Sequence, residues 1–114
     1  MPYLNIHTNV AICADKQAEF LKKASETAAD ALGKPESYVM VALQAGEPML
    51  FAGSDAPLAY LQLKSLGMPA DATDELSAAL CHFMERELGI EQGRVYIEFA
   101  GPERHMWGWN GGTF

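Results

Sequence analysis

Hydrophobic residues follow two rhythms along this chain, and the switches between them lay out its elements. Leu4 and Ile6 alternate with Asn5 and His7, and Leu61 and Leu63 alternate with Gln62 and Lys64. Val39, Val41 and Leu43 do the same around Met40 and Ala42, as do Val95, Ile97 and Phe99 around Tyr96 and Glu98. Period two belongs to a pleated strand with one covered face. Four strands are therefore predicted, each with an apolar face and a mixed one. From Asp15 the spacing changes: Ala18, Leu21, Ala24, Ala28 and Leu32 recur at three- and four-residue steps, with Glu19, Lys22, Lys23 and Glu26 facing away. That is an amphipathic helix, ended by Gly33 as a left-handed cap and by Pro35, which cannot continue it. A second helix starts with Asp71 or Thr73 as its cap. It carries Leu76, Leu80, Phe83, Met84 and Leu88 as its apolar stripe, and stops at Gly89. His82 falls between these stripe positions and reads as a partly exposed helix residue.

The pattern repeats. Tyr3-Leu4-Asn5-Ile6-His7-Thr8 returns as Tyr60-Leu61-Gln62-Leu63-Lys64-Ser65, half a chain later and matched in chemical type. The stretch from Gly33 to Val41 likewise aligns with Gly89 to Ile97, one residue out of step with the first pair. Two copies of a strand–helix–strand unit follow, giving an α/β two-layer sandwich: a four-stranded mixed sheet with two helices on one face. The other sheet face is too polar for a dry core and too aromatic for plain solvent. It is left to meet water or a neighbouring subunit. Gln44 to Pro57 reads as a loop around Met49-Leu50-Phe51-Ala52. The tail from Trp107 to Gly112 reads as a short strand or turn with two exposed aromatic anchors.

Length and charge narrow the function classes. With 114 residues the chain makes one domain, 1–114, able to bury roughly two thirds of its unfolded surface. A net charge of −7 with eight Lys and Arg argues against nucleic acid or an anionic membrane as partner, because counterion release needs several cations on one face. No apolar run approaches the ~20 residues of a membrane span, and the start lacks a basic-then-apolar leader, so the expected address is cytoplasmic. Cys13 and Cys81 form no ligand set or C-x-x-C and read as reduced small hydrophobes. Pro2, on these grounds alone, is an ordinary strand-starting residue, where its missing N–H costs nothing. Lys34 is a solvated lysine at a helix C-terminus, favoured there by the dipole.

The stretches "MPYLNIHTNV", "LGKPESYV", "MLFAGSDAP", "LKSLG", "GRVYIEF" and "GWNGGTF" resemble the macrophage migration inhibitory factor family of the tautomerase superfamily, in order and over nearly the whole chain. The resemblance implies a homotrimer whose sheets form a central barrel, with active sites between subunits. It also implies a cofactor-independent keto-enol tautomerase acting on small aromatic keto or enol acids such as phenylpyruvate. In that reading Pro2, freed by removal of Met1, is the catalytic base. Lys34 binds the substrate carboxylate and depresses the base's pKa, Leu66 walls the proline, and Tyr38, Trp109 and Phe114 are aromatic pocket or rim positions. Tyr96 reaches the site from the adjacent subunit. Glu98 stands where vertebrate members commonly have asparagine, and Trp107 replaces a smaller aliphatic residue, so both bear on specificity. Pro57 and Tyr60 stand where vertebrate members carry a C-x-x-C, and no thiol-disulfide exchange is expected by that route. Arg86, Arg94 and Arg104 offer no set for hydration or decarboxylation. A second function class remains, a cytokine-like, receptor-binding signalling protein with vestigial catalysis.

Overall fold

The alternating segments do become strands, and the helical ones become helices. A computed structural model describes residues 1–114. Strand β1 (Tyr3–Thr8) leads through α1 (Ala14–Leu32) to β2 (Met40–Gln44), and β3 (Ala59–Lys64) leads through α2 (Thr73–Leu88) to β4 (Val95–Ala100). The sheet order is β2-β1-β3-β4. Each unit pairs its own strands in parallel, β1 with β2 and β3 with β4, while β1 and β3 join the two units antiparallel. The repeat seen in the residues is thus a structural repeat. Its central antiparallel seam sets Tyr3 opposite Lys64, the start of one copy's first strand against the end of the other's.

Burial of apolar area drives this arrangement, at about 1.5–3 kcal/mol for each large side chain fully removed from water. Leu4, Ile6, Leu61 and Leu63 are wholly or almost wholly buried and form the sheet's inner floor. Leu76, Leu80, Phe83 and Met84 of α2 cover it, with Phe20, Ala24 and Ala28 of α1. The stripe on α1 differs from the periodic expectation: Phe20 is buried and Ala18 exposed. An aromatic ring beside the stripe gains more by burial than a methyl within it. Phe20 meets Phe83 of the other helix with ring centroids 5.3 Å apart, which sets the rotation of α1.

Helix ends show where local chemistry was legible. Gly33 closes α1 in the left-handed region at φ 64°, and its N–H and that of Lys34 return to Asp30 and Ala29 carbonyls. The start of α2 corrects the expectation. A 3-10 turn over Ala70–Ala72 precedes the helix, Ala72 occupies the cap position, and neither Asp71 nor Thr73 supplies a side-chain cap. The Thr73 hydroxyl instead donates back to the Ala70 carbonyl at 3.3 Å. His82 is exposed, as its position predicts, whereas Cys13 is exposed and only Cys81 is a buried small hydrophobe.

Two connections hold the sheet ends. The loop before β3 folds over itself through a Phe51–Ser54 bridge. Arg94 anchors it by donating to the Phe51, Ser54, Ala56 and Pro57 carbonyls, so this arginine has a structural post. After β4 the tail forms a hairpin of β5 (Gly108–Trp109) and β6 (Gly112–Thr113), turning at Asn110 and Gly111 with positive φ. Trp109 is exposed and Trp107 half-buried, so the tail presents one open tryptophan rather than two.

Candidate active site

Pro2 sits one residue before β1, and its side chain is fully buried. Its carbonyl accepts the Met40 N–H at 3.0 Å, which ties the amino-terminal end to β2 just where that strand begins. The 3-10 turn Glu36–Tyr38, entered through Lys34 and Pro35, brings Tyr38 to the same place. From the other side the terminal hairpin supplies Trp107, Trp109 and Phe114. Together these elements enclose a groove of about 1070 Å³, with Pro2 and Met1 among its lining residues. Its mouth is an aromatic relay. Trp109 stacks on Phe114 with centroids 5.4 Å apart, and Tyr38 meets Trp109 edge-on at 6.4 Å. A flat aromatic ligand suits such walls.

Lys34 and Leu66 act together. The Lys34 ammonium donates to the Leu66 carbonyl at 3.0 Å, bridging from the end of α1 to the segment after β3, while the Leu66 side chain is buried. The helix cap at Gly33 aims this lysine, because the chain reverses there. Its charge reaches the amino terminus. The Met1 amine is held below the ordinary 8.0, first by burial and second by the positive charge of Lys34. Both causes disfavour the ammonium form, so both make the terminal amine a base nearer neutrality. While Met1 is in place, the Pro2 nitrogen is a tertiary amide without a basic lone pair.

Tyr96 and Glu98 lie apart from this groove within one chain. They project from β4, at the opposite edge of the sheet, on the face the helices leave open, and both are exposed. Tyr96 packs on Phe51 at 4.7 Å. Glu98 accepts hydrogen bonds from the Tyr60 hydroxyl at 3.3 Å and from Gln62 Nε2 at 3.2 Å. These bonds fix its carboxylate on the sheet. Desolvation first, and the Glu98 charge second, push the Tyr60 phenol up. The same face continues through Asn5, whose Nδ2 bonds Gln62 Oε1 at 3.2 Å and His7 Nε2 at 3.0 Å. His7 Nδ1 lies 2.8 Å from Glu47. A neutral His7 protonated on Nδ1 satisfies both neighbours.

Several groove residues carried no signal in the periodicity. Tyr3, Lys64, Pro102 and Met106 line it beside the predicted aromatics. Lys64 is brought there by the antiparallel seam, a pairing that strand patterns alone do not reveal. No cluster of His, Cys, Asp or Glu is arranged to hold a metal ion, and no helix is long and apolar enough to cross a membrane.

The fold and this groove define a class: a repeated strand–helix–strand protein that keeps its own amino terminus in an aromatic crevice. The family model for macrophage migration inhibitory factor matches residues 1–114. A macrophage migration inhibitory factor homolog of Brugia malayi is 43% identical over 115 aligned residues, covering 100% of this chain and 99% of the relative. The Mus musculus macrophage migration inhibitory factor is 33% identical with the same coverage. Among solved structures, the homologue from Prochlorococcus marinus superimposes with a TM-score of 0.90 at 42% identity, covering 98% of each chain. The chain belongs to the macrophage migration inhibitory factor family, whose proteins are isomerases of the tautomerase superfamily.

Proposed function

We propose that this chain, once Met1 is removed, is a cofactor-independent keto-enol tautomerase of the phenylpyruvate type, working as a homotrimer with the Pro2 amine as general base. The observation that carries the reading is the position of the amino terminus. It lies in an aromatic groove, with a pKa already lowered by burial and by Lys34. Removal of Met1 moves the amine one residue inward, onto a fully buried proline, where desolvation acts more strongly. The proline ring also holds the nitrogen's direction, since its φ is fixed.

The reaction needs little else. The neutral amine takes a proton from the carbon beside the substrate carbonyl, and a proton is returned to the carbonyl oxygen, so the product is an isomer and the amine is regenerated. A base whose pKa lies near the working pH serves best, being both free and strong enough. Lys34 offers its remaining N–H donors to the acid group, and Tyr38, Trp109 and Phe114 hold the ring. In the proposed trimer Tyr96 and Glu98 of a neighbouring copy complete the site, and Trp107 narrows it.

Intact mass establishes whether Met1 is gone, and the enol-keto conversion of phenylpyruvate then tests the base. Pro2→Ala is expected to lower kcat/KM on the order of 10²-fold or more, the usual worth of a positioned base. Wild-type rates in that variant would overturn the assignment.

A further inference from the structure

The sheet face that the helices leave open carries an unbroken chain of side-chain hydrogen bonds from one side to the other. It starts in the loop after β2, where Glu47 accepts from His7 Nδ1 at 2.8 Å, and crosses β1 through Asn5, whose amide Nδ2 lies 3.0 Å from His7 Nε2. The same Nδ2 donates to Gln62 Oε1 on β3 at 3.2 Å, and Gln62 Nε2 donates to Glu98 on β4 at 3.2 Å. A neutral His7 that gives its Nδ1 proton to Glu47 has only a lone pair for Asn5. This fixes both amides, with the Asn5 nitrogen toward His7 and the Gln62 nitrogen toward Glu98. The arrangement has a cost, because Asn5 Oδ1 is left buried without a hydrogen-bond partner. Buried acceptors are ordinarily paired, so this orphan needs a reason. The lone pair of His7 supplies it, since turning the Asn5 amide over would set oxygen against that lone pair.

Protonation of His7 reverses this logic. Nε2 becomes a donor, Asn5 turns its oxygen to it, and Gln62 must then turn its nitrogen to Asn5 and its oxygen to Glu98. No backbone atom moves, because amide oxygen and nitrogen are nearly interchangeable in shape. Facing an acceptor in place of a donor, the Glu98 carboxylate is destabilised, and its acid form, which can donate to Gln62, is favoured. We propose that His7, Asn5 and Gln62 form a reversible relay through which a proton taken up at His7 promotes the uptake of a second proton at Glu98, a pH-sensitive switch running across the open face. Imidazoles gain their proton at higher pH than carboxyls, so His7 acts first. The sign is diagnostic. Through space the imidazolium charge opposes protonation of Glu98, and only reversal of the chain makes the two uptakes cooperative. The other groups around His7 leave this sign intact. Glu47 accepts from Nδ1–H in both states, and Tyr60, opposite His7 with ring centroids 6.2 Å apart, donates to Glu98 in both. On β2 the neutral Gln44 stands opposite His7, Lys64 lies at the far end of β3 opposite Tyr3, and Tyr96 of β4 packs on Phe51. In the proposed trimer Glu98 faces a neighbouring groove, so its discharge takes an anion away from an acidic substrate. That consequence rests on the tautomerase reading; the relay does not.

Nuclear magnetic resonance of isotope-labelled protein reads the relay directly, following the His7 ring nitrogens, the Asn5 and Gln62 side-chain amides and the Glu98 carboxyl carbon as pH falls. In wild type both amides are expected to change in step with His7. His7→Phe removes the proton site and is expected to lower the proton affinity of Glu98 about fivefold, the scale of one hydrogen bond. Gln62→Met cuts the chain, and in that background His7→Phe is expected to leave Glu98 without this loss. A Glu98 affinity that His7→Phe leaves unchanged or raises overturns the relay, since charge repulsion alone predicts the rise. Where His7→Phe does not fold, the wild type decides: amides that follow the titration of His7 sustain the relay, and amides that ignore it overturn it. Turnover enters none of these readings. A protein that shows the coupling but converts no phenylpyruvate keeps the relay and sinks the tautomerase reading. An active tautomerase whose Glu98 ignores His7 does the reverse.

Discussion

At the scale of single residues, the decisive quantity is the proton affinity of one amine. Two causes lower that of the Met1 amine, burial and the nearby Lys34 charge, and of these only the Lys34 charge can be removed without rebuilding the groove. If the proposed Pro2 amine, exposed when Met1 is removed, feels the same two influences that lower Met1, it is neutral from below the ordinary amine range upward, and kcat/KM should rise on an acid limb set by it. Lys34→Ala deletes the second cause, and the limb should then move to higher pH, toward the ordinary amine. The pH profile of kcat/KM for phenylpyruvate checks this, and a limb that stays in place in Lys34→Ala removes the electrostatic role of Lys34. Residue-level legibility was uneven for physical reasons. Tyr38, Trp107, Trp109 and Phe114 were found through the resemblance, and the structure gathers them around Pro2. Leu66 was expected as a wall, yet in a single chain it is the carbonyl that engages Lys34, a backbone role no side-chain pattern encodes. Lys64 was invisible as a groove residue because its neighbour Tyr3 lies across a seam whose register only the folded sheet defines.

At the scale of elements, apolar packing outweighs charge. Leu80 of α2 is fully buried against the sheet, so Leu80→Ala leaves a cavity and should cost about 2–5 kcal/mol. The two helices are also joined by an ion pair, Lys23 of α1 to Glu87 of α2 at 3.3 Å, with the Lys23 side chain 45% exposed. Such a pair contributes little in water. Glu87→Gln should therefore shift the urea midpoint far less than Leu80→Ala, and equal shifts would contradict this ranking. The sign of the pH effect follows from Glu87, whose carboxyl is held low, first by its hydrogen bond with Arg86. Its contribution is present above the ordinary carboxyl range and is lost as pH falls through the lowered value. Wild type should lose this increment on acidification, and Glu87→Gln should not. All six principal helices and strands were legible, since periods of two and 3.6 are direct consequences of facing a core. What escaped was local competition. Phe20 overrode the methyl stripe on α1, and a 3-10 turn displaced the expected caps of α2.

At the scale of the whole molecule, one face of the sheet is left uncovered. Both helices pack on the other side, while Met40 and Tyr96 stand 66% and 65% exposed on the two edge strands, β2 and β4. Edges carry unpaired backbone N–H and C=O groups, a template on which another chain can pair. In the proposed trimer each copy sets its β4 edge beside its neighbour's β2 edge. Tyr96 and Glu98 of one chain then reach the groove that Pro2 and Tyr38 form in the next. The polar character of this face was readable from Asn5, His7, Gln62 and Glu98. Its geometry was not, because a symmetry axis leaves no period in a single chain. The consequence is testable through assembly and activity together. Native protein should sediment at about three times its 12.4 kDa chain mass. Tyr96→Lys places a flexible cation on the proposed contact and should shift the population toward single chains, with tautomerase activity falling in step. Raising the protein concentration should recover both, since mass action favours the assembly. A single-chain species with undiminished activity would show instead that the groove is complete on its own.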